Sequence, residues 1–201
     1  EDMVKHVSER VGKVGRDKFI VTLGGDHAVT IGVVKGLEKI HDDFSIVMLD
    51  AHSDFRDSWN NSELNHACVA KQISKQHDVG IIGVRSQDVD ESKSVESSKN
   101  VHIIKAYDFN MDNLKETLGK LKKNVFISID VDVFDLSFIR NTGTPEPGGF
   151  QWDRVIEILK EIFNQKKVIG ADITEFAPKG LEENFRAEAY SLAKLAYKIM
   201  S

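Results

Sequence analysis

Cysteine is almost absent from this sequence of 201 residues, in which Cys68 is the only one. An intramolecular disulfide is therefore impossible, and this fits a reducing compartment and predicts a cytoplasmic protein. No apolar stretch approaches the length of a membrane span. The acidic opening Glu1-Asp2 is unlike the basic start of a secretory signal. We therefore expect no membrane association and no disulfide framework.

Positive charge is also scarce. The formal net charge is -5, and the sequence has no run of five or more basic residues. Binding to nucleic acid or to an anionic membrane is therefore not expected. The overall composition, with 41% apolar and 29% charged residues, is ordinary for a globular protein. A chain of this length can bury one sizeable core, so we predict a single domain over residues 1–201.

Short apolar runs alternate with longer amphipathic stretches along the chain. The runs are rich in Val, Ile, Phe and Leu, as is typical of strands buried on both faces. The predicted strands are Phe19–Leu23, Phe44–Leu49, Val79–Val84, Val101–Ala106, Val125–Ile129 and Val168–Ala171. The predicted helices are Val29–Ile40, His66–Gln76, Met111–Lys122, Trp152–Phe163 and about Glu182 to Met200, with Ser86–Asn100 as an exposed helix or loop. This alternation predicts an α/β fold with a mostly parallel sheet covered on both faces.

Acidic and imidazole residues follow four of the predicted strands. In parallel α/β sheets, ligands bind beyond the carboxyl ends of the strands. The four groups are Asp26 and His27; Asp50, His52 and Asp54; Asp130, Asp132 and Asp135; and Asp172 and Glu175. Because parallel strands end at the same edge of a sheet, we expect these groups to converge on one rim.

Some of these residues have simpler interpretations. An aspartate that follows a strand is most often a turn residue or a helix N-cap. We interpret Asp57, Asp135 and Asp172 in this structural sense, and Asp26 could cap the helix that begins near Val29. Cys68 is interpreted as a small buried side chain.

The simpler interpretation fails for Asp50-x-His52-x-Asp54 taken together with Asp130-x-Asp132. Alternate residues of an extended chain point the same way, so each segment can direct its side chains at a common centre. Clustered carboxylates without cations would repel one another strongly in a low-dielectric site. Carboxylates with imidazoles suit Mn²⁺ or Mg²⁺. Two such ions can share a bridging water and lower its pKa, which is hydrolase chemistry.

The motifs GGDHAVTIG, DAHSD, SIDVDVFD and DITEFAP resemble, in this order, the signatures of the ureohydrolase family, which includes arginase and agmatinase. The resemblance runs from about Phe19 to the end of the chain. It implies a three-layer α/β/α fold of the arginase type and a centre of two Mn²⁺ ions per subunit. It also implies hydrolysis of guanidino or related amidino groups, usually with release of urea, and a homo-oligomer, either a trimer or a hexamer.

The resemblance further assigns roles to individual residues. The implied ligands are His27, Asp50, Asp54 and Asp130 for one metal, and Asp50, His52, Asp130 and Asp132 for the other. Asp50 and Asp130 could therefore bridge the ions. His66, in NHACV, matches a histidine proposed to carry protons or to contact the substrate, and Glu175 matches a glutamate that pairs with the guanidinium. We assign His66, Glu175 and Asp54 to catalysis.

Two features resemble archaeal-type agmatinases within the family: DFRD followed by NHACV, and the loop TGTPEPGG at Thr142–Gly149. Arginases carry an asparagine at the position of Arg56. The expected substrate is therefore a small guanidino cation, agmatine, which would yield putrescine and urea. Guanidinobutyrate, formimidoylglutamate and arginine are alternative substrates. Arg56 could equally form a surface salt bridge, and the loop could shape a pocket wall or a subunit contact.

Two alternatives of a different class are a non-catalytic protein that keeps the fold and a two-metal phosphoesterase. The full ligand set argues against the first, and the acidic rim, which would repel a phosphate, argues against the second. One departure from the family concerns the N-terminal side. Relatives carry a longer segment before GGDH, whereas here only about residues 1–16 precede the first strand. We therefore expect part of the family's N-terminal region to be missing from this chain.

Overall fold

The computed structural model describes residues 2–178 and 185–201. Its strands are β1 (Ile20–Leu23), β2 (Ser45–Leu49), β3 (Val79–Val84), β4 (Val101–Lys105), β5 (Asn124–Asp130) and β6 (Lys167–Thr174). They pair in parallel as one sheet in the order β1-β6-β5-β2-β3-β4. Each lies where the apolar runs predicted a strand. The prediction of an α/β fold with a parallel sheet is therefore confirmed.

Helices cover both faces of this sheet. They are α1 (Asp2–Val14), α2 (Val29–Leu37), α3 (Val69–Ile73), α4 (Val89–Glu96), α5 (Met111–Lys120), α6 (Trp152–Gln165) and α7 (Arg186–Met200). A short 3-10 turn at His66–Cys68 precedes α3. The predicted start of the last helix, near Glu182, lies outside the described residues.

Helix α1 was not predicted, and it packs closely on α2. Its buried residues include Val4 and Val11, which form a narrow apolar stripe in an otherwise charged segment. Two glycines of α2 allow the close approach. A Cβ at Gly36 would lie 2.6 Å from the Cβ of Val11, and one at Gly32 would lie 2.9 Å from the carbonyl oxygen of Val4. The pair α1 and α2 thus covers one face of the sheet.

Two apolar cores separate the three layers. One core contains residues of α5, α6 and α7, such as Leu118, Ile158 and Leu195, packed on one face of the sheet. The other contains residues of α1, α2 and α3, including Val11 and Ile31, packed on the opposite face. The central strand β2 is buried along its whole length. This three-layer α/β/α arrangement is the one implied by the family resemblance.

The sheet order brings the motif-bearing strands together. The four strands that end in acidic motifs, β1, β6, β5 and β2, are consecutive neighbours. Leu49 of β2 is the partner of Ile129 of β5, so the residues that follow, Asp50 and Asp130, leave the sheet side by side. Parallel pairing therefore places the motifs at one edge of the sheet although they are far apart in the sequence.

Candidate metal centre and substrate pocket

The first group of candidate ligands surrounds the imidazole of His27. Its Nδ1 lies 3.3 Å from Asp50 Oδ2, 3.0 Å from Asp54 Oδ2 and 3.2 Å from Asp130 Oδ2. All four residues are buried. The Nδ1 atom and the carboxylate oxygens of Asp50 and Asp130 lie close enough together to hold one metal ion.

The second group surrounds His52 and shares Asp50 with the first. His52 Nδ1 lies 2.9 Å from Asp132 Oδ2 and 3.7 Å from Asp50 Oδ1. Asp132 is buried in a 3-10 turn directly after β5, where Asp130 Oδ1 accepts a hydrogen bond from its backbone N–H at 2.9 Å. The ligand-type atoms of Asp50, His52 and Asp132 could hold a second ion.

A hydrogen-bond chain behind His27 leaves its Nδ1 free to bind a cation. His27 Nε2 lies 3.0 Å from Ser128 Oγ. Ser128 Oγ donates to Asp172 Oδ1 at 2.7 Å, and Thr30 Oγ1 donates to Asp172 Oδ2 at 2.8 Å. Because the single hydroxyl hydrogen of Ser128 is used in this way, His27 Nε2 must be the donor to its oxygen. With Nε2 keeping this hydrogen, the lone pair of His27 Nδ1 is available to a metal ion. Without an ion, Nδ1 can carry a proton among the carboxylates of Asp50, Asp54 and Asp130.

The sequence interpretation of Asp172 as a turn or cap residue is wrong. Strand β6 continues to Thr174, so Asp172 lies within the sheet and is completely buried. Its carboxylate holds Ser128 and Thr30, and Ser128 in turn orients His27. Neither Ser128 nor Thr30 was singled out from the sequence, although Ser128 lies inside the motif SIDVDVFD.

The residues present fit a pair of divalent cations. Three buried polar atoms of the site make no hydrogen bond of regular geometry, although each lies within about 3.3 Å of another ligand-type atom: His27 Nδ1, Asp50 Oδ2 and Asp132 Oδ2. Buried polar atoms are normally satisfied, so atoms of this kind call for an ion or a water. All three face their cluster, and carboxylates with imidazoles are the ligand chemistry of ions such as Mn²⁺.

Proton binding shows how strongly these carboxylates repel one another. Burial raises the pKa of Asp54 from 3.8 to about 7, and the charge of Asp50 adds to the rise. Burial alone would lower the pKa of His52, but contacts with Asp132 and Asp50 raise it to about 11. Burial opposes and three carboxylates favour protonation of His27, whose pKa lies well above 6.5. Without a metal, protons on these groups compensate part of the negative charge.

Two site residues adopt the left-handed backbone conformation, which residues other than glycine seldom take. Asp54 has a φ of 47° and Glu175 has a φ of 64°. Such conformations cost on the order of 1–3 kcal/mol each and occur often at functional sites. Glu175 directly follows β6, and its backbone N–H donates to the carbonyl of Gly25 at 2.7 Å. The GGDH turn and the end of β6 are thereby joined.

An open pocket of about 420 Å³ lies above this cluster. Its wall includes His66 and Glu175, the residues predicted to act on the substrate. His66 Nδ1 lies 3.0 Å from Asp26 Oδ2, and Glu175 Oε1 accepts the backbone N–H of His27 at 2.6 Å. Asp26 lies in the turn before α2, where its Oδ1 accepts the N–H of Ala28. Burial raises the pKa of Glu175.

The opposite side of the pocket is formed by Arg56 and its neighbours. Arg56 Nη2 lies 2.6 Å from Asp88 Oδ2 and 3.7 Å from Glu91 Oε2, and its guanidinium sits 4.6 Å from the ring centre of Trp59. Of the two interpretations given to Arg56, the salt bridge is therefore the observed one. The same four residues also line the pocket, so the ion pair belongs to its wall. Thr144 of the TGTPEPGG loop lines it as well.

The structure thus brings all the predicted ligands into one cleft and places the other predicted residues on its wall. The ligands are His27, Asp50, His52, Asp54, Asp130 and Asp132. This fold and this site define a class of parallel α/β proteins with clustered carboxylates and imidazoles at the carboxyl ends of the strands. The arginase family model matches residues 1–201, and the chain belongs to the arginase family.

Individual relatives carry more specific names. The agmatinase of Pyrococcus horikoshii is 41% identical over 87% of this chain and 62% of its own length. The N(1)-aminopropylagmatine ureohydrolase of Synechocystis is 34% identical over 98% of this chain and 65% of its own length. A crystal structure of the agmatine ureohydrolase of Thermoplasma volcanium superposes with a TM-score of 0.82, at 28% identity, over 98% of this chain and 67% of that one.

This chain spans less than two thirds of the length of those two curated relatives. The similarity to archaeal agmatinase agrees with the resemblance stated from the motifs. Among residues 2–178 and 185–201, no helix is long and apolar enough to cross a membrane.

Proposed function

We propose that this chain carries the active site of a binuclear-manganese hydrolase that converts agmatine to putrescine and urea. The observation that supports this most is the set of buried, unpartnered ligand atoms, His27 Nδ1, Asp50 Oδ2 and Asp132 Oδ2, next to the carboxylate of Glu175. A guanidino substrate needs both features, a centre that activates water and an anion that holds a permanent cation.

In this proposal His27, Asp50, Asp54 and Asp130 would hold one ion, and Asp50, His52, Asp130 and Asp132 would hold the other. Divalent ions held here would act as Lewis acids and would lower the pKa of water towards neutrality. The identity of the metal as manganese and the number of two ions per subunit rest on the family resemblance and on the oxygen-rich ligand set. Asp54 is the one ligand that we also assign to catalysis.

Glu175 is proposed to hold the guanidinium of the substrate. Its Oε1 already accepts a hydrogen bond from the backbone N–H of His27. Its Oε2 lies beside Gly143, where an added Cβ would be 3.6 Å away. One carboxylate edge is therefore fixed by the ligand-bearing turn, and the substrate position becomes tied to the position of His27. A planar guanidinium donates two parallel hydrogen bonds to such a carboxylate.

His66 is proposed to carry a proton to or from the substrate. Its Nδ1 contacts Asp26 Oδ2 at 3.0 Å, which leaves Nε2 as the nitrogen that can exchange a proton with a bound molecule. The ring is about two-fifths exposed on the pocket wall, so it can reach both the substrate and solvent. In this proposal Asp26 orients the imidazole of His66 and is not a metal ligand.

Other parts of the proposal rest on chain length, on composition and, for the oligomeric state, on the family resemblance. Residues 1–201 are proposed to form a single ureohydrolase-like domain, and the protein is proposed to assemble as a homo-oligomer, a trimer or a hexamer. A cytoplasmic setting fits the single buried cysteine, Cys68.

A second candidate substrate is N(1)-aminopropylagmatine. The relative named for it matches 98% of this chain, whereas the agmatinase of Pyrococcus horikoshii matches 87%. A longer polyamine would extend beyond Glu175 towards the far wall of the pocket, where Trp59 and Asp88 are both partly exposed. An aromatic face and a carboxylate both favour a cation. Arg56 already contacts both of these groups, so a substrate amine would compete with its guanidinium for them.

Urea release in the presence of Mn²⁺ tests the proposal directly. Agmatine, N(1)-aminopropylagmatine, arginine and guanidinobutyrate would be compared at equal concentration, together with chelated enzyme as a control. We expect turnover with a guanidino amine and none after chelation. Absence of urea from every substrate with the metal-loaded protein would reject the proposal.

A further inference from the structure

A carboxylate of the TGTPEPGG loop faces the outer nitrogen of a candidate metal ligand. Glu146 Oε1 lies 3.9 Å from His52 Nε2, and His52 Nδ1 on the other side of the ring lies 2.9 Å from Asp132 Oδ2. The imidazole therefore stands between a carboxylate of the cluster and a carboxylate of the loop. About a quarter of the His52 side chain and a third of the Glu146 side chain are exposed.

Arg85 holds this loop against the metal cluster. Its Nη2 donates to the carbonyl of Asp132 at 2.6 Å and to the carbonyl of Glu146 at 2.9 Å, and its Nε donates to the carbonyl of Pro147 at 3.0 Å. One guanidinium thus joins the backbone of a candidate ligand to the backbone of Glu146. Because guanidinium geometry is planar and rigid, the two segments keep a defined separation.

The loop itself has little conformational freedom around Glu146. Pro145 and Pro147 flank it, so its neighbours have a fixed φ and its own backbone is restricted to extended conformations. The far end of the loop is held by Asp135, whose Oδ2 accepts the N–H groups of Gly148 and Gly149 at 3.0 and 3.1 Å. These constraints restrict the loop backbone that carries Glu146, whose side chain lies 3.9 Å from His52.

The separation of 3.9 Å is longer by about 1 Å than a direct hydrogen bond. A rotation of the glutamate side chain or one bridging water would complete a hydrogen bond with the Nε2–H of His52. Metal-bound histidines almost always donate their second ring N–H to such a partner, which fixes the tautomer and increases the basicity of the bound nitrogen.

We propose that Glu146 is a positioning residue that receives the Nε2–H of His52 and so orients its Nδ1 towards the second metal ion. This inference rests on the proposed metal-dependent function. It assigns to the TGTPEPGG loop a role in metal binding, beyond that of a pocket wall or a subunit contact. Arg85 supports the arrangement through the backbone of Glu146, without contacting the imidazole.

Calorimetric titration of metal-free protein with Mn²⁺ tests the proposal. The variants are Glu146→Gln, which keeps the shape but removes the charge, and Glu146→Ala. The matched control is Glu157→Gln, an exposed carboxylate paired with Arg154 on α6. We expect Glu146→Ala, which removes the acceptor, to bind one of the two Mn²⁺ ions about 10- to 100-fold more weakly. Glu146→Gln keeps an amide oxygen that can accept the Nε2–H of His52, so it should lose less of this affinity. The other ion should be unaffected, and the control should match the parent protein.

Steady-state kinetics at saturating Mn²⁺ provides a second readout. We expect the activity of the Glu146 variants to recover as Mn²⁺ is raised, with little change in KM for the guanidino substrate. Unchanged Mn²⁺ affinity in both Glu146 variants, with a melting temperature equal to that of the parent, would overturn the inference. If instead the parent protein bound no Mn²⁺, the proposed function itself would fail, so the two failures are distinguishable.

Discussion

The Nε2 of His27 lies 3.0 Å from the hydroxyl oxygen of Ser128, and this contact determines which nitrogen of the imidazole faces the carboxylates. Ser128 gives its only hydrogen to the buried Asp172. The relationship depends on sheet register, since Ser128 of β5 is the direct partner of Asp172 on β6. A position in the sheet therefore controls the chemistry of a loop residue that precedes α2.

The first prediction removes this contact. Ser128→Ala leaves the Nε2–H of His27 buried without an acceptor, which should lower the free energy of unfolding by about 1–3 kcal/mol. Affinity for one Mn²⁺ ion should fall about 10- to 100-fold because the ligand loses its orientation. Denaturant unfolding and calorimetric titration measure the two effects. The control is Ser191→Ala on α7, whose hydroxyl is exposed and bonds only its own helix, and which should change neither quantity.

The second prediction concerns Asp132. Asp132→Asn keeps the shape of the side chain but removes the charge of an atom that is buried and unpartnered. We expect metal analysis of the purified variant to find about one ion fewer per chain than in the parent, together with a loss of most of the turnover. The matched control is Asp153→Asn in the first turn of α6, which lies outside the cluster of candidate ligands. Retention of both ions and of full activity in Asp132→Asn would contradict the assigned ligand set.

The third prediction concerns pH and the metal-free protein. Asp54, with a pKa raised from 3.8 to about 7, stabilises the fold below pH 3.8, and this contribution is lost as the pH rises to about 7. His52, raised from 6.5 to about 11, stabilises the fold below pH 6.5 and loses this contribution towards pH 11. The raised pKa values of Asp54 and His52 therefore both make the folded state less stable as the pH rises. The melting temperature of chelated protein should therefore fall between pH 5 and pH 9.

Added Mn²⁺ should oppose that fall because the cations replace the protons. Binding should release protons, so the calorimetric enthalpy at pH 7 should differ between buffers of low and high ionisation enthalpy. The apparent affinity should increase by up to about tenfold per pH unit for each proton released. A binding enthalpy that is the same in every buffer would show that no proton is displaced, against the charge balance described for this cluster.

The strands were predictable because their apolar runs are continuous and are bounded by polar residues. Strand β2 is buried along its whole length and could be recognised from composition alone. Helix α1 was missed because its apolar stripe is narrow, with residues such as Val4 and Val11 set among charged ones. Its packing depends on Gly32 and Gly36 of α2, a feature that appears only when the two helices are brought together.

The candidate ligands were visible in the sequence because strand ends carry them in short motifs. The contacts that orient the ligands were not visible, although Ser128, Asp172 and Glu146 lie within the quoted motifs, because these contacts join distant segments of the chain. Asp172 is separated from Ser128 by 44 positions and meets it only through the pairing of β5 with β6. Glu146 approaches His52 only because Arg85 fastens a distant loop to the end of β5. Register and loop path are tertiary properties that a motif does not encode.

The fourth prediction concerns Glu175. Glu175→Gln removes the charge that is proposed to hold the guanidinium, while its amide oxygen can still accept the N–H of His27. We expect kcat/KM for agmatine to fall by about a hundredfold or more, because a misplacement of about 1 Å can have that effect. Metal content should remain equal to the parent's. The matched control is Glu63→Gln, an exposed carboxylate paired with Lys75, which should keep parental activity.

The last prediction concerns the far end of the substrate, where Arg56 lies 2.6 Å from Asp88 and covers the ring of Trp59. Because Asp88 already compensates its charge, Arg56 is poorly placed to attract the carboxylate of arginine. Agmatine should therefore exceed arginine in kcat/KM under one set of conditions.

Arg56→Gln would remove the cation and leave the carboxylate of Asp88 open to a substrate amine. Exposed charge interactions of this kind are worth about 0.2–1 kcal/mol, so kcat/KM for N(1)-aminopropylagmatine should rise about 1.4- to fivefold relative to agmatine. The matched control is Arg154→Gln, which removes an arginine of an exposed pair on α6 and should leave the ratio unchanged. If arginine matched agmatine in the parent protein, agmatine would lose its place as the preferred substrate. If the ratio of kcat/KM for N(1)-aminopropylagmatine to that for agmatine fell in Arg56→Gln, Arg56 would be part of the amine site rather than an obstacle to it.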